Sequence, residues 1–392
     1  MNTMRHAAAL PPSAGAGARE PSMVGWLRWL AIALGVLALA LLGAALAPIA
    51  VPSSALAADA AETLIERGRW KEARALLEPR VTANAADADA AYLLSRVRSA
   101  FRDVDGALVL AEKSVQLDRS NARYHEQLAM VLGDKAGSAG KLQQFGLAKR
   151  FKKSAEAAVA LDPRRFDAQI ALMIFHLKAP GFVGGDRKVA RAKVEEIAKL
   201  DPVWGERAGA RYAAETKDTL AALAHAIKAV EIGPEDYAAR IGLANRLVAR
   251  NDIAGAERHA LAAQRLDPGR GSAYALLAGI YAHDSRWSEL DATLTAAETN
   301  VPGNLLPHYT AARILLTEQR EPARAERYLR SYLTVEPEGE TPQHPGAHWR
   351  LAQALEQQGR KGEAIAELET AVQARPDFDE AKKDLKRLKK KA

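Results

Sequence analysis

The stretch YAARIGLANRLVARNDIAGAERHALAAQRLDP, Tyr237 to Pro268, is followed almost at once by GSAYALLAGIYAHDSRWSELDATLTAAETNVP, Gly271 to Pro302. Each divides into two halves. In the first stretch Leu243, Ala244 and Leu247 share one helical face, and Ala256, Ala260 and Ala263 share another, with Arg250 to Asp252 as the turn between them. In the second, Leu277, Ala278 and Tyr281 are followed by Leu290, Leu294 and Ala297. Apolar residues three and four apart predict amphipathic helices, and a short turn folds each pair antiparallel. Alanine where two helices cross lets their ridges interlock; a larger side chain there costs roughly 1–3 kcal/mol in overpacking.

The same pair recurs along the chain. Leu-Asp-Pro or a close variant closes each unit, with last residues at 119, 163, 202, 234, 268, 302, 337 and 376. A base period near 34 with insertions predicts a helix-turn-helix solenoid. The final unit uses Leu351, Ala352 and Leu355, then Ala364, Leu368 and Ala371, around the turn QQGRKGE. Each closing proline is expected to end one helix and to suit the first turn of the next.

Tyr274, Leu277, Ala278, Tyr281, Ala297 and Pro302 resemble the pattern of the tetratricopeptide repeat (TPR) family, as do Leu351, Ala352, Ala364, Ala371 and Pro376. The resemblance implies an all-α fold, a right-handed superhelical α-solenoid of about nine TPR-like repeats. It spans residues 58–378, with units ending near 85, 119, 163, 202, 234, 268, 302, 337 and 376. Arg119 replaces a proline, the fifth unit is short, and the third, fourth and last carry insertions. Residues 379–392 are expected to form a basic C-terminal capping helix, with Ala381, Leu385 and Leu388 on one side.

The amino end is different. Between Arg28 and Asp59 there is no charged residue, and Trp29 to Ala47 is an unbroken small-and-apolar run of 19. Residues 1–57 therefore read as a basic leader with a signal peptide or signal anchor. Ala55-Leu56-Ala57 offers a small-x-small cleavage site; an uncleaved anchor is the alternative. In both cases the repeats are expected to lie in the periplasm of a bacterial cell, exported or held at the inner membrane.

Composition narrows the chemistry. The 392-residue chain has no cysteine, which excludes disulfides, thiolate metal sites and cysteine nucleophiles. Its net charge of +7, from 55 basic and 48 acidic residues, is too mild an excess to signal nucleic acid. Gly140-Lys141 looks like the end of a phosphate-binding loop, but Lys135 stands where a glycine is needed and Leu142 where Ser or Thr is needed. The segment 133–146 is instead expected to be a loop between helices Arg123–Leu132 and Leu147–Leu161. His344 and His348 are four apart, but Pro345 is expected to place His344 before the helix, and no third metal ligand lies nearby.

The remaining outlier, LKAPGFVGGDRKVA (Leu177 to Ala190), is read as an inter-helix turn. Pro180 ends one helix, Gly184-Gly185 permits the reversal, and Asp186 caps the next helix, in the place an anion would otherwise occupy. No catalytic, cofactor or metal residues are identified.

The TPR resemblance implies a concave groove that holds a protein or peptide. Residues offset from the core positions are expected to face it: Tyr92, Arg96, Arg123, Asn245, Tyr309, Arg313, Trp349 and Gln353. The family's clamp for chaperone tails needs a Lys and an Asn on one helix; Asn245 fits the second, but Ile241 stands where the Lys should be. The expectation is thus a non-enzymatic scaffold. The alternative is an accessory small-ligand-binding component of envelope transport, using the loops of the third and fourth units.

Overall fold

The computed structural model describes residues 54–390, and side chains from Ala58 onward. The basic leader and the apolar run lie outside the described residues, so only the end of the predicted signal segment falls within them. Among the described residues there are nineteen α-helices, one 3-10 turn and no strand. None of these helices is long and apolar enough to cross a membrane.

Eighteen helices form nine antiparallel pairs. They are α1 (Ser54–Glu66) and α2 (Trp70–Ala83), α3 (Ala88–Ala100) and α4 (Val104–Leu117), α5 (Ala122–Ser138) and α6 (Lys141–Leu161). Next come α7 (Phe166–Lys178) and α8 (Arg187–Leu200), α9 (Pro202–Glu215) and α10 (Thr219–Ile232), α11 (Tyr237–Ala249) and α12 (Ile253–Leu266). The array ends with α13 (Gly271–His283) and α14 (Trp287–Asn300), α15 (Leu306–Thr317) and α16 (Pro322–Leu333), α17 (His344–Gln357) and α18 (Lys361–Ala374). A single helix, α19 (Asp379–Lys390), packs on α18 and buries Ala381 and Leu388.

From Trp70 onward each helix touches its chain neighbour, and most first helices also touch the first helix of the next pair. This is the packing of an α-solenoid. The positions that define the repeat in the sequence are its core: Leu243, Ala244, Leu247, Ala256, Ala260 and Ala263 are all buried, as are their counterparts in the two other units.

The turn inside a pair is built the same way seven times. One residue takes the left-handed conformation: Gly68, Arg102, Lys217, Asn251, Ser285, Gln319 and Gly359. From Lys217 to Gln319 these recur every 34 residues, so the sequence period is written in the backbone. The amide after each one reaches back to a carbonyl one turn inside the first helix, as Asp252 does to Leu247 at 2.9 Å. That bond satisfies a carbonyl the helix end would leave orphaned. In three of these turns that next residue is an aspartate whose side chain caps the second helix: Asp103, Asp218 and Asp252 accept from Gly106, Ala221 and Gly255.

Three sequence expectations are corrected. The segment 133–146 is mostly helical: α5 runs on to Ser138 and α6 starts at Lys141, leaving Ala139-Gly140 as the turn. The insertion lengthens both helices, because its Ala, Lys and Gln content favours helix and neither Gly133 nor Gly137 meets a clash that would demand a break. Most closing prolines sit in the junction between pairs and not in the next helix. Pro202 does open α9, but Pro163, Pro234, Pro268, Pro302 and Pro376 each precede the next helix by about a turn. At two of these junctions the preceding aspartate forms the turn, Asp162 accepting from Arg164 and Asp267 from Gly269. His344 is also the first residue of α17, not a residue ahead of it.

The second insertion ends α7 at Lys178, passes through a 3-10 turn at Gly181–Val183 and restarts at α8. Gly184 has φ +104°, and a Cβ on Gly185 would lie 1.7 Å from the Ala179 carbonyl oxygen, so both glycines are required by the backbone. Asp186 caps α8, accepting from the Lys188 amide at 2.8 Å.

The array also touches itself across its length. The segment between α16 and α17 reaches back to the first pairs, and buried Glu338 accepts from the Lys71 backbone amide at 3.0 Å, in the first turn of α2. A carboxylate there meets both orphaned amides and the positive end of the helix. The Lys71 ammonium donates to the carbonyls of Gly303 (2.9 Å) and Glu336 (2.8 Å), and the Glu340 amide donates to the Ala100 carbonyl at 2.7 Å. Arg74 pairs with Glu336 at 2.7 Å.

Candidate functional site

Because first helices line up side by side, residues just off their core stripe share one concave face. There α3, α5, α7, α9 and α11, with α1 at one end, enclose a cavity of about 770 Å³. Its depth comes from small residues: Ala210, Ala239 and Gly242 let it reach between α9 and α11 as far as Ala226 and Ala229 of α10.

Six arginines line it: Arg96, Arg123, Arg165, Arg207, Arg211 and Arg246. At the α1 end they are neutralised. Arg123 pairs with Glu62, Arg96 lies 3.9 Å from the same carboxylate, and Arg165 pairs with Glu126. Glu126 is itself buried and accepts from the Ala168 amide at 3.1 Å, which fixes the start of α7. Arg123 and Arg96 also lie over the Tyr92 ring, at 4.8 and 5.8 Å.

The α11 end is different. Arg207 stacks on Trp204 at 3.7 Å and reaches Asp236 at 3.4 Å, and Arg211 pairs with Glu215 at 2.9 Å. Arg246 has no carboxylate partner among the described residues; its guanidinium donates to the backbone carbonyls of Gly242 (2.9 Å) and Ala210 (3.5 Å). Burial, then the neighbouring Arg211 charge, hold its pKa below the usual arginine value. A half-buried guanidinium repelled by a second one is an anion-binding arrangement.

A second, more apolar hollow of about 410 Å³ follows between α11, α13 and α15, with Ile241, Asn245 and Arg313 in its wall. The sequence-predicted groove residues are therefore divided. Tyr92, Arg96 and Arg123 meet in the first cavity, and Asn245 and Arg313 in the second. Tyr309 is buried with its ring 5.2 Å from that of Tyr332. Trp349 packs on Phe378 and donates from Nε1 to Asp384 at 2.9 Å, while Gln353 accepts from Arg350. Sequence reasoning missed Arg165, Arg207, Arg211 and Arg246. Their sign was visible, but each faces the cavity only once the pitch of its helix against its neighbours is known.

His344 and His348 have ring centroids 6.5 Å apart and separate partners, the Val335 carbonyl and the Glu367 carboxylate. Among the described residues no three His, Asp or Glu side chains converge as metal ligands.

Residues 309–386, from α15 into α19, match the family model described as tetratricopeptide repeat. Solved structures similar to the chain include a thermophilic TPR protein of Thermus thermophilus, 21% identical, covering 49% of this chain and 97% of that one at a TM-score of 0.43. Yeast Tom70 is 13% identical, covering 86% and 88% at 0.45. A tetratricopeptide repeat protein of Parabacteroides merdae is 14% identical, covering 66% and 98% at 0.43. No curated protein matches the chain.

Proposed function

We propose that this chain, a tetratricopeptide repeat protein, is a non-enzymatic scaffold whose arginine-lined groove holds an acidic segment of a partner protein. The observation that carries this reading is Arg246, half-buried beside Arg211 and bonded only to backbone carbonyls. A carboxylate arriving between the two would relieve their repulsion and complete the pairing that Glu62 and Glu126 supply at the other end. Tyr92 and Trp204 add rigid aromatic surface beside the charges, the mixture that favours binding hot spots. The basic leader and the 19-residue apolar run support an address outside the cytoplasm, exported or anchored at the inner membrane of a bacterium.

The test is binding of a fluorescent octa-glutamate peptide to the full-length protein, followed by anisotropy. Arg211→Glu and Arg246→Glu are each expected to weaken binding at least tenfold, and Arg250→Glu, outside the cavity, to leave it unchanged. Equal binding by all three variants, or by an uncharged peptide of the same length, would sink the reading. A cavity of this size also suits a small anion, as an accessory transport component would need. Displacement of the peptide by a small dicarboxylate at low concentration would favour that second role.

A further inference from the structure

The two insertions meet on the outside of the array. Phe145, near the start of α6, and Phe182, in the 3-10 turn after α7, have ring centroids 5.4 Å apart, yet are 40% and 78% exposed. Leu142, one turn ahead of Phe145 on α6, is 89% exposed, more than any other large apolar side chain among the described residues. Single exposed leucines elsewhere, such as Leu117 or Leu266, sit alone at helix ends and need no explanation. Three clustered at the start of a lengthened helix do.

Their surroundings are mainly basic, although Lys135, Arg150 and Lys152 are paired with Asp105, Glu112 and Glu156. From Lys135 to Ala155 there are six basic residues and no acidic one. Lys141, Lys149 and Lys153 on α6, and Arg187, Lys188 and Arg191 on α8, are exposed and make no ion pair among the described residues. The one carboxylate within this part of the second insertion, Asp186, is occupied in capping α8.

We propose that this tip docks on an anionic membrane surface, with Leu142, Phe145 and Phe182 entering the headgroup region and the surrounding lysines and arginines meeting lipid phosphates. A protein-binding patch is usually rimmed by polar residues of both signs, whereas an apolar apex with unpaired cations on both flanking helices, α6 and α8, matches a lipid surface in both polarity and charge. The tip is also separate from the arginine-lined groove: none of its three apolar residues lines that cavity.

The chain has no cysteine, so Leu142→Cys provides one attachment point for an environment-sensitive fluorophore on the otherwise intact full-length protein. With vesicles of phosphatidylcholine containing about 30% phosphatidylglycerol, the probe is expected to shift to the blue and to be quenched by lipid-borne quencher. Pure phosphatidylcholine should give neither effect, and Lys141→Glu with Lys149→Glu should abolish both. These lysines are exposed, so an unchanged circular dichroism spectrum keeps the variant informative. A probe at exposed Glu235→Cys should stay silent throughout, even where the apolar run of the leader holds the protein on both vesicle types. An unresponsive probe at position 142 on anionic vesicles, or an equal response on neutral ones, overturns the proposal. So does a response to polyglutamate without lipid, which would make the tip a protein dock. Arg246→Glu should leave the membrane signal intact, so the two readings fail separately.

Discussion

His308 shows how a single buried group sets a pH dependence. It is 6% exposed, its Nε2 lies 3.1 Å from Glu298, and its Nδ1 has no partner. Burial holds its pKa below the ordinary value of 6.5, against the opposing pull of Glu298, so the contact is a hydrogen bond of a neutral ring. His176 and His259 are shifted the same way, burial again being the largest cause. The sign follows. As pH falls below about 6.5 the unfolded chain takes up protons that the folded one refuses, so stability is full above that value and falls below it. The melting temperature is expected to drop as pH falls below about 6.5, with His308 among the groups responsible. His308→Phe should flatten the curve; an unchanged slope would refute the assignment. Position 308 gave no such signal in the sequence, because its burial depends on α15 meeting α14 and α16. Asp186 was legible there, since a cap is a local event.

Within an element the repeated turn gives a sharper test. Ser285 and Lys217 sit at φ +56° and +63°, where Gly68 and Gly359 stand in equivalent turns. A side chain in that conformation costs roughly 1–2 kcal/mol, partly offset in a glycine by its greater freedom when unfolded. Gln319→Gly and Lys217→Gly, at equivalent left-handed positions, are therefore each expected to raise stability by about 0.5–1 kcal/mol in urea unfolding, and Gly359→Ala to lower it by a similar amount. Loss of stability in both glycine variants would show that the side chains contribute more than the strain. Apolar spacing and recurring closing residues made the helix pairs legible from Tyr237 onward. The long α5–α6 hairpin was not, because its glycines signalled a loop while the alanines, lysines and glutamines around them favoured helix.

Across the whole array, the contacts around Glu338 and Lys71 join residues up to 267 apart in a fold whose helices otherwise pack mainly on near neighbours. Nothing in a sequence period foretells such a meeting, which depends on the accumulated pitch of every intervening pair. Gly339 tests it: a Cβ there would stand 2.7 Å from the Ala100 Cβ and 3.0 Å from Trp70. Gly339→Ala is expected to cost about 1–3 kcal/mol and to loosen the contact, read as faster proteolysis in residues 335–343 and a larger radius of gyration. Gly346→Ala, with nothing within 4 Å, is the neutral control. If Gly339→Ala leaves both measurements unchanged, the contact does not hold the first pairs in place. An array that meets itself is also a counted object. Repeat proteins ordinarily gain and lose modules as genes duplicate and recombine, with each copy indifferent to the total. Here, removing or adding one pair between α3 and α16 would carry Glu338 past or short of the α2 amides it caps, so the contact can close only at this number of modules.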